Sequence, residues 1–259
     1  MRSAQLFAVV CLLLGSVSVA GADEHLDARD IAKRSDAVLR ADTTMMAVRM
    51  TVKSPRLSGD RKVAFHSWED RRRDRSFIRI LSPTKDAGTG FLRLPPNLWT
   101  YIPRVERSMR IPPSMMLQPW MGSDFTNDDL VNESSDVDDY DHTLLRVEKD
   151  ADGRPGLRAY VVQYVPHEDV AVVWGRIEGW IEAEHYWPMR QDFYDEDGVR
   201  VRTLRYDDVR EVEGRHVPHR WVMTPLEKKG HETRIELESI AFDPVIDPGV
   251  FTTRNLKQR

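Results

Sequence analysis

The chain has 259 residues, of which 41% are hydrophobic and 31% charged, a balance typical of folded globular proteins and not of disordered ones. Its formal charge of −4 at pH 7 argues against nucleic-acid binding, which needs a net basic face. The only cysteine, Cys11, cannot form an intramolecular disulfide bond or a multi-thiolate metal site.

The first 22 residues have the pattern of an export signal. A basic residue precedes the apolar run Leu6–Leu14, and the small residues at 20–22 suit cleavage. The run is too short to span a membrane, and no later stretch of about 20 apolar residues exists. The sequence therefore predicts a cleaved signal peptide over residues 1–22 and a single periplasmic domain over residues 23–259. Cys11 lies in the middle of the apolar run, which disfavours lipidation.

An amphipathic helix is predicted next, over residues 25–40, where Leu26, Ile31 and Val38 approximate a stripe at helical spacing. The spacing of the apolar residues then changes to a period of two. In the run 46–52 the even positions are apolar and the odd ones polar or small, as in a half-buried strand.

Strands are predicted along most of the remaining chain, with a short helix after residue 252. The further strands are expected at 62–68, 76–80, 91–94, 98–102, 105–111, 140–149, 157–165, 176–184, 189–195, 200–206, 216–223 and 232–242. The basic run Arg71–Arg73, flanked by acidic residues, is expected to be a solvated hairpin turn.

A helical interruption separates the two runs of strands, near residues 113–133. Ser114 to Met121 is predicted to be a short helix, disturbed by Pro119. Thr126 followed by Asp129 has the spacing of a capping box and predicts a second helix start. The architecture that fits is mainly β: a curved antiparallel half-barrel whose concave face is covered by an N-terminal helix and this central insert.

The stretch from Gly88 to Leu130 is rich in flexible Met and flat aromatic side chains, and prolines break it repeatedly. It therefore predicts an apolar ligand-handling surface, with a wall at Trp99 and Tyr101 and a lid in the insert. If the lid residues are not core, alanine at Trp120 and Met116 is expected to weaken lipid binding and leave folding nearly intact. The alternative is that these side chains fill a core. The predicted cavity and lid residues are Trp99, Tyr101, Met109, Met115, Met116, Leu117, Trp120, Met121 and Phe125.

Several arginines surround this apolar stretch. Arg93, Arg107 and Arg110 are candidates for contact with lipid headgroups or an acidic partner at the cavity mouth, with Arg104 beside them. The alternative is that they are solvated outer positions of strands.

No catalytic or cofactor motif is convincing. Asp124, Asp128 and Asp129 are explained by helix capping, and Ser123 lacks the trailing glycine of a nucleophile elbow. His216 and His219 alone make an incomplete zinc site. No phosphate loop or dinucleotide fingerprint is present. The sequence thus predicts a protein that is not an enzyme and has no cofactor and no metal.

One known family resembles the chain over nearly all of the predicted mature protein. The segment GFLRLPPNLWTYIPRVERSMRIPPSMM running into MGSDFTNDDL, the YDEDG turn at 194–198 and the tail FTTRNL at 251–256 are similar to the outer-membrane lipoprotein-sorting (LolA-like) family. The resemblance is to its broader branch, associated with exporters of the resistance-nodulation-division (RND) type. It implies an unclosed β-barrel covered by helices, in a family whose best-studied members carry acylated lipoproteins across the periplasm.

Two functions are consistent with these features. The first is a soluble periplasmic carrier that shuttles a lipid or lipidated protein between membranes, or to or from an RND-type exporter, with transient contact to a membrane surface. The second is a non-carrier adaptor that binds such an exporter or an envelope protein through the same apolar surface. A carrier needs an enclosed cavity, whereas an adaptor needs only an exposed patch.

Overall fold

The computed structural model describes residues 27–131, 137–168, 172 and 174–258. The predicted export signal over residues 1–22 lies outside the described residues. Within them, every helix is too short or too polar to cross a membrane.

Thirteen antiparallel strands form one sheet in the order β6-β5-β4-β3-β2-β1-β13-β12-β11-β10-β9-β8-β7. Their bounds are β1 Thr43–Lys53, β2 Arg61–Asp70, β3 Arg75–Ser82, β4 Gly90–Leu94, β5 Asn97–Ile102, β6 Arg107–Ile111, β7 Tyr140–Glu148, β8 Ala159–Pro166, β9 Arg176–Glu182, β10 Pro188–Tyr194, β11 Arg200–Val212, β12 Arg215–Pro225 and β13 Glu232–Phe242. The first and last strands pair in the middle, and β6 and β7 are the two edges. In the described chain these edges do not pair with each other, so the predicted unclosed barrel is confirmed.

The N-terminal helix α1, Ala28–Leu39, lies on the concave face near β7 and β12. Its first turn is capped by the Asp27 carboxylate, which accepts a hydrogen bond of 2.8 Å from the backbone N–H of Arg29. Ile31 and Ala32 join the main core, as the helical stripe predicts.

The main core lies between the concave face, α1 and the central insert. In β1 the alternation is as predicted, because Val48, Met50 and Val52 are all buried on that face. In β3 both faces are buried: Ile78 points to the main core, whereas Phe77 packs in a separate cluster on the convex face. That cluster is covered by the C-terminal tail, which includes the predicted short helix, α3 Thr253–Leu256.

The central insert differs in detail from the prediction. A single helix from Ser114 to Met121 is wrong, because the chain forms two 3-10 turns, Pro113–Met115 and Trp120–Gly122. Pro119 lies between them, lacks an N–H and disfavours a helical conformation in the residue before it. The helix predicted from the capping box is present as α2, Asn127–Val131.

Most strand and turn predictions are confirmed to within a few residues, including the solvated turn at Arg71–Arg73. The strand expected to begin at Val105 is an exception. Residues Pro103–Val105 form a 3-10 turn that ends at Glu106 with φ of 49°, so β6 starts at Arg107. Val105 and Met109, the second of them a predicted cavity residue, are 51% and 45% exposed.

Candidate ligand-binding cavity

A cavity of about 210 Å³ lies between the concave face of the sheet, α1 and the insert. Its walls come from both halves of the sheet, from Phe65 and Ile78 on one side to Leu204 and Trp221 on the other. The curved sheet and its covering elements therefore leave part of their shared apolar interior unfilled.

The volume limits what the cavity holds in this conformation. An engineered apolar cavity of about 150 Å³ is enough for benzene, whereas sites for drug-sized molecules occupy roughly 300–1,000 Å³. The present cavity falls between these sizes. A ring or a short hydrocarbon segment would fit, and a longer chain would require α1 or the insert to move.

Aromatic side chains supply much of the lining. They are Phe65, Phe125, Tyr140, Tyr164, Trp174, Phe193, Tyr206 and Trp221. Aliphatic side chains such as Val48 and Leu237 complete the apolar part. Such surfaces bind apolar groups chiefly through the area they remove from water.

The charged groups at the end of α1 are already engaged with one another. Asp36 lines the cavity and pairs with Arg40 at 3.3 Å and with Arg71 from the β2–β3 turn. These ion pairs tie the helix end to the sheet.

Trp120 holds the insert against the sheet. Its side chain is fully buried, and its ring lies 5.2 Å from that of Phe65 and 5.4 Å from that of Phe91. The adjoining backbone is also attached, because Arg61 donates a hydrogen bond of 2.6 Å to the carbonyl of Met121. The insert is therefore a packed part of the core at this point.

An ion pair joins the insert to the other half of the sheet. The guanidinium of Arg202 on β11 donates hydrogen bonds of 2.7 and 2.8 Å to the two carboxylate oxygens of Asp129 on α2. The same guanidinium lies 4.0 Å from the Trp174 ring and 4.1 Å from the Phe193 ring. We call this arrangement the Asp129–Arg202 latch, since it joins the insert to β11 beside the cavity.

The charge on Asp129 is stabilised by its partners. Burial by itself raises the pKa of this carboxyl, but the charge and hydrogen bonds of Arg202 and the bonds from Thr126 outweigh burial and hold the pKa below its usual value of 3.8. Asp129 is therefore ionised, and the latch is intact, at neutral pH.

The capping box predicted from the sequence supports the same carboxylate. The Thr126 hydroxyl accepts a hydrogen bond of 3.1 Å from the Asp129 N–H, and the Asp129 carboxylate accepts one of 2.7 Å from the Thr126 N–H. Thr126→Ala is expected to lower the free energy of unfolding by about 1 kcal/mol. Chemical denaturation measures this, with Thr126→Ser as a control that keeps the hydroxyl; equal losses in both variants would contradict the cap.

Of the predicted cavity and lid residues, Phe125 alone lines the cavity in the described chain. Trp120 is core, and Met121 packs beside it. Met116 is buried against Leu98 in a small cluster by the sheet edge, with the half-buried Leu117 next in sequence. The structure thus gives the insert a covering role, with different contacts from those expected.

Trp99 and Tyr101 do not lie on the cavity wall. They pack on the convex face with Phe77, Leu92 and Phe251. Because β4 and β5 are buried on both faces, alternation alone does not tell which face borders a cavity. A role for these two residues in ligand contact stays a prediction, without support from their position.

The remaining predicted contacts lie outside the cavity. Arg93 forms an ion pair with Asp74 in the β2–β3 turn. Arg107 and Arg110 are exposed on the edge strand β6, and Met109 and Met115 are exposed beside them. A headgroup site at the cavity mouth is therefore not formed by these arginines in this conformation.

The side chains weighed for catalysis have structural roles. Ser123 is buried, and its hydroxyl bonds to the backbone of Phe125 within its own turn. His216 and His219 are three apart on strand β12, which places them on opposite faces. His219 is buried with its Nδ1 2.9 Å from the carbonyl oxygen of Val217.

One further group of potential ligands lies at the β9–β10 turn, where side-chain atoms of Glu182, Glu184 and His185 approach within 4.8 Å of one another. Glu182 already accepts hydrogen bonds from the backbone N–H groups of Glu184 and His185. The carboxylate is explained by turn formation.

Much of the cavity comes from residues that the sequence analysis did not select, in the second run of strands. Leu204, Tyr206 and Trp221 are examples. Their alternation within β11 and β12 was a signal for one buried face, but it does not show that this face borders a void. Trp174 lies in the connection before β9, where the sequence shows no strand periodicity.

A family model described only as "Uncharacterized protein" matches residues 72–258 of the chain. The match spans more than half of the chain, which therefore belongs to this family. No curated protein shows significant similarity to it.

Three solved structures have a closely similar fold. A domain classed with outer membrane lipoprotein-sorting proteins from Vibrio parahaemolyticus is 22% identical with a TM-score of 0.77, and the match covers 89% of this chain and 98% of that one. A DUF1329 family protein from Desulfovibrio piger is 22% identical, with a TM-score of 0.78 and coverage of 88% and 97%. A LolA superfamily protein from Nitrosomonas europaea is 20% identical, with a TM-score of 0.74 and coverage of 89% and 99%. These likenesses establish the LolA-like half-barrel fold.

Proposed function

We propose that this LolA-like protein is a periplasmic carrier that binds a lipid, or the acyl group of a lipidated protein, in the cavity under the insert. The observation that supports this most directly is the cavity itself, lined mostly by aromatic and aliphatic side chains inside a fold of the lipoprotein-sorting type. An adaptor would need only an exposed apolar patch, and the cavity therefore favours the carrier over the adaptor.

Cargo exchange in this proposal requires the insert to move. Each buried methylene contributes roughly 0.8 kcal/mol, so an acyl chain of about 14 methylenes would contribute on the order of 11 kcal/mol before the costs of ordering. Such a chain exceeds the volume of the cavity in this conformation. Part of the binding free energy would then offset the loss of contacts made by the insert. Transfer to or from an RND-type exporter, and the domain limits 23–259, remain part of the proposal.

The test is to fill the cavity. Leu204 is buried and lines it. Leu204→Trp is expected to lower the affinity for N-phenylnaphthylamine, a neutral apolar fluorescent probe, at least about tenfold, equivalent to about 1.4 kcal/mol. Energy transfer from the protein's tryptophans to the probe measures binding.

The matched control is Leu94→Trp, at a half-buried position in the convex-face cluster. It makes the same change of side chain away from the cavity and is expected to leave the probe affinity unchanged. Equal affinities in the wild type and both variants, with all three folded, would contradict binding in this cavity.

A further inference from the structure

Several hairpin connections emerge at the same end of the sheet, and the one between β10 and β11 is acidic, with Asp195, Glu196 and Asp197. The strand register places together the turns between β1 and β2, β3 and β4, β5 and β6, and β12 and β13. We call residues 53–62, 82–89, 103–107 and 226–232 the basic rim.

The loops of the basic rim touch in pairs. A Cβ placed on Gly230 would lie 2.9 Å from the Pro55 ring, and one on Gly88 would lie 3.1 Å from the Pro103 ring. Arg61 then joins the first loop to the second through an ion pair of 3.0 Å with Asp86. The four segments therefore form one continuous surface.

The charge of the basic rim is opposite to that of the rest of the molecule. Its segments contain nine basic and five acidic residues, a net charge of +4, in a chain whose formal charge is −4; the remainder is therefore −8. Seven of the basic side chains are exposed and form no ion pair with any residue that the structure describes. They are Arg56, Lys62, Lys85, Arg104, Arg107, Lys228 and Lys229.

Exposed apolar side chains belong to the same loops. Leu57, Val105 and Leu226 are 42%, 51% and 42% exposed, and each comes from a different connection. Single exposed apolar residues are ordinary. Here each one lies within two residues of an exposed cation, in three separate connections. Cations that meet headgroup phosphates, together with apolar groups that enter the layer just below, are the features of interfacial membrane binding.

We infer that the basic rim docks the protein on a membrane surface rich in anionic headgroups. The inference rests on the proposed carrier function, for which it names the site of membrane contact. The central insert is attached at the same end, through Arg61 to the Met121 carbonyl and through the hydrogen bond of 2.9 Å from the Asp124 N–H to the Thr233 hydroxyl. A docked protein would thus hold its cavity cover beside the bilayer.

Co-sedimentation of the purified protein with phosphatidylcholine vesicles, with and without phosphatidylglycerol, tests the inference. Binding is expected only with phosphatidylglycerol, and is expected to weaken as salt is added. The double variant Lys228→Glu/Lys229→Glu is expected to lower the affinity for these vesicles at least about tenfold, because each basic residue is attracted to the anionic surface. The control Lys149→Glu/Arg158→Glu makes the same charge change in the exposed β7–β8 turn at the other end of the sheet and is expected to have little effect.

Equal binding to both kinds of vesicle, or equal losses in the two double variants, would overturn the inference. The carrier proposal is judged separately with N-phenylnaphthylamine. A protein that binds the probe but no vesicle would contradict membrane docking by the basic rim and would remain consistent with the carrier proposal. Vesicle binding that depends on the basic rim, without probe binding, would support membrane docking and contradict the carrier proposal.

Discussion

Trp120→Ala is expected to lower the free energy of unfolding by about 3–5 kcal/mol, which is the usual cost of deleting a large aromatic side chain from a core. The Trp120 side chain is fully buried between Phe65 and Phe91, and the deletion would leave a void where the insert meets the sheet. Urea denaturation followed by circular dichroism measures the loss. The result would contrast with the sequence-based expectation that alanine at both Trp120 and Met116 leaves folding nearly intact.

Two variants make the Trp120 experiment specific. Trp120→Phe keeps an aromatic ring and removes an indole N–H that has no hydrogen-bond partner among the described residues, so it is expected to cost less than the alanine variant. Met115→Ala, at a position 47% exposed in the same insert, is expected to change stability by no more than about 0.5 kcal/mol. A Trp120→Ala protein as stable as Met115→Ala would show that the insert is not packed as described.

Arg202→Met is expected to destabilise the protein by about 3–5 kcal/mol and to speed the uptake of N-phenylnaphthylamine. The substitution removes one partner of a largely buried ion pair, in which the Arg202 side chain is 6% exposed, and leaves the Asp129 carboxylate without its compensating charge. It also frees the insert from β11, on the far side of the cavity. Denaturation measures the first effect and stopped-flow fluorescence the second.

Arg190→Met is the matched control for the latch. Arg190 also stacks on a tryptophan, 3.5 Å from the Trp180 ring, and pairs with the buried Asp192 at 3.2 Å, but none of these residues lines the cavity. It is expected to lower stability without changing the rate of uptake. If both variants speed uptake equally, the effect would come from general destabilisation and not from the latch.

The latch also predicts that the stability of the protein depends on pH. The pKa of Asp129 is lower in the folded protein than its usual value of 3.8, so the stabilisation from its charge is fully present above about pH 4–5 and is lost as the pH falls through the folded-state pKa. Asp129→Asn cannot titrate. The stability difference between wild type and this variant is therefore expected to shrink below about pH 4; a difference that stays constant across this range would contradict an ionised latch.

The sequence predicted the strands well because their signals are local. The alternation in β1 and the capping box at Thr126 and Asp129 depend on residues close in sequence, and both are present in the structure. The helix expected across Pro119 failed because local periodicity was given more weight than the backbone restriction of proline.

The cavity was harder to predict because it depends on distant residues. Phe125 and Leu204 line one void although they come from opposite runs of strands. The apolar and aromatic content of Trp99 and Tyr101 was recognised, but the C-terminal tail that covers them on the convex face could not be placed from periodicity. When a strand is buried on both faces, the elements packed on it decide which face borders a void.

The pairing of the first strand with the last has a consequence for how the chain reaches its native state. Arg49 and Glu238, 189 residues apart, join β1 to β13, whereas most other strand pairs are hairpin neighbours. Each half of the sheet can thus form from local contacts, but β1 keeps an open hydrogen-bonding edge until the end of the chain is available. Closing so large a loop is slow, and an open strand edge invites pairing with other chains. The nascent protein would therefore depend on protection of β1 until β13 has been synthesised.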